Sequence, residues 1–255
     1  MISYCRNLED VIIQRVFADV PEGRYLDIGA SAPINDSTTY ALYERGWRGW
    51  RGIAADPILQ AQDWQAHRPR DLALRTMIGA QPGTQRLFAY PNFSQSSTGA
   101  PFIRDHLARH GLEPPVELEV PVVTANDLLA SHPPGQPLHL VSIDVEGMEA
   151  EVLSGLDLLR HRPWLMVIEA VLSGTPTPSH HAWEPALLEK GYHMAYFDGV
   201  NRYYLAWEQR SLLGRLMVPP NVWDQYERAS EREMQARIKA LEARLAATSP
   251  PETGA

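Results

Sequence analysis

The sequence predicts a doubly wound α/β fold with a mostly parallel sheet, a closing antiparallel hairpin and a C-terminal helix. Three observations predict it. Short apolar runs, several ending in an acid, alternate with helix-length amphipathic segments from the N-terminus onward. Two of these runs, Leu138 to Ile143 and Trp164 to Ile168, are apolar almost without a break, as strands covered on both faces are. After the last of them, Asp198-Gly199 separates two aromatic-rich runs, which is a strong hairpin signal.

The elements follow in order. Leu8, Ile12 and Val16 fall on one face of a first helix, with Asn7 as its expected capping side chain and Glu9 and Asp10 in the first turn, where the helix dipole favours acids. Tyr25 to Gly29 reads as the first buried strand, Ser37 to Arg45 as a helix stopping at Gly46, and Trp50 to Ala55 as the second strand, closed by Asp56-Pro57. A helix around Ile58 to His67 precedes a third strand, Leu72 to Ile78, and an extended piece, Arg86 to Tyr90. Pro91 to Pro121, rich in Pro, Ser and Gly, reads as a loop-rich insertion. Thr124 is placed to cap a helix from Asn126 to Leu129, and Met148 to Leu159 reads as the helix between the two unbroken strands. Glu169 closes the second of those strands, Ala182 to Lys190 is the last core helix, and Tyr192 to Phe197 and Arg202 to Ala206 form the hairpin.

The core domain is expected over residues 1–210, a helical extension over 211–247 and a disordered tail over 248–255. In the extension Met234, Ile238, Leu241 and Leu245 recur at spacings of four, three and four, and Glu233 precedes Arg237 by a favourable four. Two readings fit: an amphipathic helix docked on its own domain, or a coiled coil that self-associates or tethers a partner.

Composition bounds the function. A hydrophobic content of 44% and a charged content of 21% are ordinary for a globular chain of 255 residues, which is long enough for one full α/β domain. A formal net charge of −8 argues against wrapping nucleic acid through phosphate neutralisation. No apolar run reaches the roughly 18–20 residues that a transmembrane helix needs. The single Cys5 cannot close an intrachain disulfide, and Met1 to Asn7 lacks the pattern of a secretion signal, so a cytoplasmic setting is expected.

The chemistry-bearing residues gather at predicted strand ends. Asp27-Ile28-Gly29-Ala30-Ser31 follows a strand and precedes a helix, where a small residue lets a ligand approach the backbone. The segment lacks G-x-G-x-x-G, which disfavours a nicotinamide cofactor. Asp56 ends the second strand, where an acid either accepts both hydroxyls of a ribose or caps the next helix with Pro57 at its first position. Taken with Gly29, it favours an adenosine-bearing ligand. In Ser142-Ile143-Asp144-Val145-Glu146-Gly147-Met148-Glu149 two acids break out of an apolar strand at its carboxyl end. Unpaired buried carboxylates cost several kcal/mol, so these acids are expected to face a cleft, a metal or a cationic substrate. Glu149 and Glu151 read as solvated helix residues. Glu169 repeats the strand-end pattern, while Asp198 and Asn201 add polar groups that the hairpin turn alone would explain.

These segments resemble those of the FkbM family of methyltransferases. The resemblance is carried by Ser3-Tyr4 with Asn7-Leu8-Glu9-Asp10-Val11, by Tyr25-Leu26-Asp27-Ile28-Gly29-Ala30, and by Gly46-Trp47-Arg48-Gly49. It continues through Ser142 to Gly147, through Ser179-His180 before Trp183-Glu184, and through Tyr196 to Arg202. The resemblance implies the class I methyltransferase fold: a Rossmann-like, mostly parallel seven-stranded sheet with a C-terminal β-hairpin. It implies S-adenosylmethionine as cofactor, with Asp27, Gly29 and Ala30 at its methionine end, Asp56 at the ribose, Ile78 beside the adenine, and Asp144 nearby. Asp56 and the absence of a second glycine after Ala30 depart from the common family pattern.

A branch found with bacterial glycosyltransferases implies O-methylation of a sugar or glycan hydroxyl. A polyketide or other small-metabolite acceptor, or a non-catalytic module recruiting a glycosyltransferase, are the alternatives. Methyl transfer to a hydroxyl needs alignment and removal of a proton. His180, whose ordinary pKa lies near neutrality, is the first candidate base, with adjacent His181 as substitute and Asp144 and Glu169 as further catalytic candidates. Asp144, Glu169 and Asp198 are alternatively a site for a divalent cation such as Mg2+. Glu146, His181, Asn201 and Arg202 are expected at the acceptor.

Overall fold

The structure is a computed structural model that describes residues 1–45, 51–58, 61–89, 96–97, 116–130, 136–172 and 175–248. The first strands are β1 (Ile2–Ser3), β2 (Arg24–Ile28), β3 (Arg51–Ala55), β4 (Leu72–Leu74), β5 (Met77–Ile78), β6 (Gly83–Ala89) and β7 (Ser96–Ser97). They are followed by β8 (Val116–Val123), β9 (Leu140–Ile143), β10 (Leu165–Glu169), β11 (Tyr192–Phe197), β12 (Asn201–Ala206) and β13 (Glu227–Arg228). The α-helices are α1 (Glu9–Val16), α2 (Tyr40–Arg45), α3 (Ala61–His67), α4 (Ala125–Leu129), α5 (Glu149–Ser154), α6 (Glu184–Glu189) and α7 (Ala229–Thr248).

Seven strands form the central sheet in the order β11-β12-β10-β9-β2-β3-β4. β10, β9, β2, β3 and β4 pair in parallel, and β12 is antiparallel to both β10 and β11. The sheet expected to be mostly parallel is therefore mixed, its antiparallel member supplied by the hairpin. From β2 the chain moves outward to β3 and β4, then crosses back to β9 on the other side. That reversal opens a crevice at the carboxyl ends of β2 and β9, where ligands of doubly wound sheets bind.

The unbroken apolar runs are explained by the alternation of side chains across the sheet. Leu26, Ile28, Val141, Ile143, Met166 and Ile168 pack with Leu128, Leu129, Val152 and Leu187 of α4, α5 and α6. Tyr25, Leu140, Leu165, Val167 and Tyr203 belong to a second core with Ile12, Ile13, Val16, Leu42 and Tyr43 of α1 and α2. All residues of β9 and β10 are buried, at roughly 1.5–3 kcal/mol for each large apolar side chain.

Several local expectations need correction. α1 begins at Glu9 with Leu8 in the left-handed region (φ 65°) at the cap position, so Asn7 lies one residue outside and no side chain caps this end. Asp10 does the fastening instead, accepting from the Ser3 hydroxyl at 2.7 Å and the Tyr4 amide at 2.6 Å. The third strand is two pieces in two sheets, because a turn at Thr76, whose hydroxyl donates to the Pro121 carbonyl at 2.9 Å, sends β5 to pair with β8. β8 itself overturns part of the loop-rich insertion: it pairs antiparallel with β6 in a four-stranded sheet β5-β8-β6-β7. The alternation Val116, Leu118, Val120, Val122 was its signal, obscured by Pro121. The rest of that insertion apart from β7, and the Gly46-Trp47-Arg48-Gly49 segment, lie outside the described residues.

The helix after β9 ends at Ser154 rather than Leu159, because Asp157 starts a separate turn by accepting from the Leu159 and Arg160 amides. α6 starts at Glu184, with Pro185 in its first turn, after a 3-10 turn over His180–Ala182. Thr124 does cap α4, in a capping box with Asp127. The hairpin turn is closed by Asp198, whose Oδ1 accepts from the amides of Val200 and Asn201.

The extension expected from residue 211 becomes α-helical only at Ala229. Before it, 3-10 turns over Trp207–Arg215 and Val222–Asp224 are held against α1 by Arg15, which reaches the Arg215 carbonyl at 2.8 Å and Asp224 at 2.9 Å. β13 then pairs in parallel with β1. The stripe of α7 is not docked on the described body: Met234 is 63% exposed and Leu245 68%. Among the described residues no helix is long and apolar enough to cross a membrane. The expected tail beyond Thr248 lies outside the described residues.

Candidate active site

Three strand ends meet at the crevice. The Gly29 amide donates to the Ala55 carbonyl at 2.9 Å and the Asp144 amide to the Ile28 carbonyl at 3.0 Å, which locks β2, β3 and β9 together where they terminate. Gly29 has φ 83°, and a Cβ built there would sit 1.6 Å from the Asp144 carbonyl oxygen. Only glycine allows this approach. At the end of β3, Asp56 accepts from the Ser31 amide at 3.2 Å and the Ile58 amide at 2.7 Å, so it holds the turn after β2 as well as its own.

The turn, the strand ends and β5 enclose a cavity of about 370 Å³, within the roughly 300–1,000 Å³ range of small-molecule sites. Gly29, Asp56, Ile78 and Asp144, all expected at the cofactor, line it, as do Glu146 and Asn201 from the expected acceptor set. Asp27 and Ala30, also expected there, are not among its lining residues. Asp27 is buried and accepts from the Thr39 hydroxyl at 2.5 Å; burial pushes its carboxyl above the usual range, opposed by that bond. Ala30 packs on Ala54 and Trp64.

Asp144 and Glu169 end neighbouring strands and share a hydrogen bond. Two carboxylates can share one only if one holds a proton. Asp144 lines the cavity and is exposed there. Desolvation first, then the charges of Glu146 and Glu149, push its carboxyl up. Glu169, 8% exposed, is pushed up by burial and then by Asp144, and its Oε2 has no hydrogen-bond partner. Glu146 adopts φ 55° in the turn that follows β9. Glu149 is not a solvated helix residue: it is buried and accepts from the Gly147 amide at 3.1 Å and the Val145 amide at 3.4 Å, which fixes that turn.

The remaining expected residues do not line the cavity. His180 is buried, its Nδ1 lacks a partner, its Nε2 lies 3.8 Å from Glu184, and its ring is 4.0 Å from that of His181, which is exposed. Burial, then Arg202, pushes the His180 imidazole below its ordinary value and favours its neutral form. Arg202 is turned away into an ion pair with Glu184 at 2.5 Å. Asp198 is engaged on both oxygens: Oδ1 by the turn amides, Oδ2 by the Tyr203 hydroxyl at 2.8 Å and the Asn201 amide at 3.3 Å. Asp144, Glu169 and Asp198 are thus not presented together as donors. Among the described residues no group of three or more His, Cys, Asp or Glu is arranged to hold a metal ion.

Two features escaped the sequence reading. Glu9 lines the cavity, where it accepts from Asn201 Nδ2 at 3.0 Å, and burial pushes its carboxyl up to about 7. Behind the turn after β2, Arg68 is completely buried. It donates to Asp71 at 2.8 Å, to the Tyr25 and Thr39 hydroxyls at 2.8 Å each, to Ser37 at 3.1 Å and to the Pro33 carbonyl at 3.3 Å. Trp64 lies against the guanidinium, 4.4 Å from its ring centre. The segment thus fastened, residues 33–39, supplies Asn35, Asp36 and Thr38 to the cavity wall. The surrounding density of Tyr25, Tyr40, Tyr43 and Trp64 was the available signal.

A doubly wound sheet whose switch point opens into a cavity between a glycine turn and a strand-end acid is the architecture of a nucleotide-type cofactor enzyme. The Methyltransferase FkbM domain matches residues 27–194, from the strand that leads into that glycine turn to the first strand of the hairpin. The chain belongs to the FkbM methyltransferase family. No curated protein and no solved structure matches it.

A methyltransferase domain implies S-adenosylmethionine. The cavity fits it in two respects: Gly29 leaves backbone within reach of a ligand, and the carboxylate of Asp56 lines the cavity beside that turn.

Proposed function

We propose that this methyltransferase transfers the methyl group of S-adenosylmethionine to a hydroxyl of a sugar or bacterial glycan, in a cytoplasmic setting. The convergence of Gly29, Asp56 and Asp144 on one cavity carries the reading. The cofactor supplies an electrophilic methyl group, and the protein has to orient the two reactants and take up a proton. Gly29 and Asp56 would hold the cofactor, Asp56 at the ribose and Ile78 at the adenine. Glu9, Glu146 and Asn201 line the same cavity and offer carboxylate and amide acceptors to a polyhydroxyl substrate.

Asp144 is the base the geometry favours. It is the one of the three catalytic candidates that lines the cavity, and its raised carboxyl lies nearer the operating pH, where a base transfers protons best. Glu169, hydrogen-bonded behind it, fixes its position. His180 supports a second reading on one observation: a buried, neutral imidazole with an unpartnered Nδ1.

Labelled S-adenosylmethionine incubated with a panel of bacterial glycans, polyketides and amines tests the assignment. Label in an ether-linked methyl of a glycan supports it; label only in polyketides, in amines or in none of the panel refutes the acceptor class. Under this mechanism Asp144→Asn lowers kcat at least ~100-fold, the usual scale of general base catalysis, while His180→Ala has a smaller effect. The reverse order moves the base to His180.

A further inference from the structure

α7 projects from the body: from Ser230 to Leu245 every residue is exposed. α7 has 20 residues, and in proteins most helical stability comes from packing an apolar face. This helix has such a face. Met234, Ile238, Leu241 and Leu245 are 63%, 50%, 47% and 68% exposed, at spacings that place Met234 and Leu241 at heptad positions d and Ile238 and Leu245 at positions a.

We propose that this face is covered by α7 of a second copy of the chain, in a parallel, in-register two-stranded coiled coil. The flanking charges select both the occupant and the direction. Arg237 falls at position g and Glu242 at the following position e. In a parallel pair each g residue meets the e residue five positions on in the partner, so Arg237 meets Glu242 of the second copy twice, once on each side. An antiparallel pair that overlaps the same stripe would set Arg237 against Arg244 and leave Glu242 facing Gln235. A β-branched residue at a with leucine at d, as in Ile238 and Leu241, favours two strands over three. Glu231, one heptad before Ile238, would bring like charges together at position a, so the seam starts at Met234. The pairing requires nothing of the cavity's chemistry. It would place both catalytic bodies at the same end of the coil, and β13, at the root of α7, is paired with the β1 segment that leads to Cys5, Arg6 and Glu9 at the cavity.

Sedimentation equilibrium of the full chain over a concentration series tests this. The expected result is a monomer–dimer equilibrium that Ile238→Lys abolishes while the far-ultraviolet spectrum of the body and cofactor binding persist. Arg237→Glu and Glu242→Arg, each of which turns two attractive pairs into repulsive ones, should each weaken the dimer by ~5-fold or more, and their combination should restore it. Strict monomer at every concentration overturns the proposal. So does a dimer indifferent to Ile238→Lys, or one that the double charge exchange fails to restore.

Discussion

Replacing Arg68 by methionine removes a buried cation from the wall of the cavity without touching any residue that lines it. Five donor contacts go at once, to Asp71, Tyr25, Thr39, Ser37 and the Pro33 carbonyl. Asp71 has no accessible side-chain surface, and its carboxyl is already pushed up by burial more than Arg68 pulls it down. Breaking such a pair by removing one partner costs about 3–5 kcal/mol, because the other charge stays buried and unmatched. At roughly 2–4 °C per kcal/mol for a chain near this size, the expected fall in Tm is about 6–20 °C. Residues 33–39 lose their anchor, so S-adenosylmethionine should also bind more weakly in a titration made well below the new Tm. Arg68→Lys keeps the charge but not the fork of donors and should recover only part of both losses. Adding Asp71→Asn to Arg68→Met should destabilise by less than the sum of the single changes, since it removes the stranded carboxylate. A melting point within about 2 °C of the parent would show that the network contributes little and that the reasoning is wrong.

Gly29→Ala places a methyl group 1.6 Å from the Asp144 oxygen and adds about 1–2 kcal/mol for a left-handed alanine, so β2 and β9 must part. Calorimetry should show both a lower Tm and S-adenosylmethionine affinity reduced at least ~10-fold; unchanged affinity would dissociate the turn from the ligand. Glu169→Gln should leave stability unchanged below the ordinary carboxyl value of 4.5 and raise it progressively above, as read by melting curves across pH. The sign follows from the raised folded pKa: as pH rises the unfolded chain ionises first, and the parent loses stability that an uncharged side chain keeps. A variant destabilised equally at all pH values would refute the shared-proton account of Asp144 and Glu169.

The sheet was legible because its strands must be apolar on both faces, and β9 and β10 are. The hairpin was legible because Asp198-Gly199 supplies the turn chemistry locally. What escaped depends on contacts between distant residues. Pro121 and the acids of β8 hide a strand whose partner, β6, lies about thirty residues earlier and whose alternation becomes decisive only once that partner is present. Asn7 is a good cap by type, but Leu8 turns left-handed beside it. Of the site, the strand-end acids could be read, since a carboxylate at the end of an apolar run has few structural explanations. Glu149 looks like any helix acid until the turn folded over it exposes two amides to its carboxylate. Arg68 carries no motif at all; its role depends on Tyr25, Thr39 and Asp71 arriving from three other elements.

The charge balance of the cavity bears on what it holds. Among the described residues Glu9, Asp36, Asp56, Asp144 and Glu146 line it against a single arginine, Arg6, which is itself paired with Asp36 at 2.7 Å. Burial, reinforced at Asp144 by the charge of Glu146, pushes the carboxyls of Glu9 and Asp144 up. A ligand bringing positive charge reverses that penalty, and S-adenosylmethionine brings a sulfonium and an ammonium, whereas the demethylated product keeps only the ammonium. If the cavity holds the cofactor as proposed, its acids would favour the reactive cofactor over its product by an electrostatic margin that methyl transfer removes with the sulfonium charge. On that reading the same carboxylate excess would also favour release of the spent cofactor.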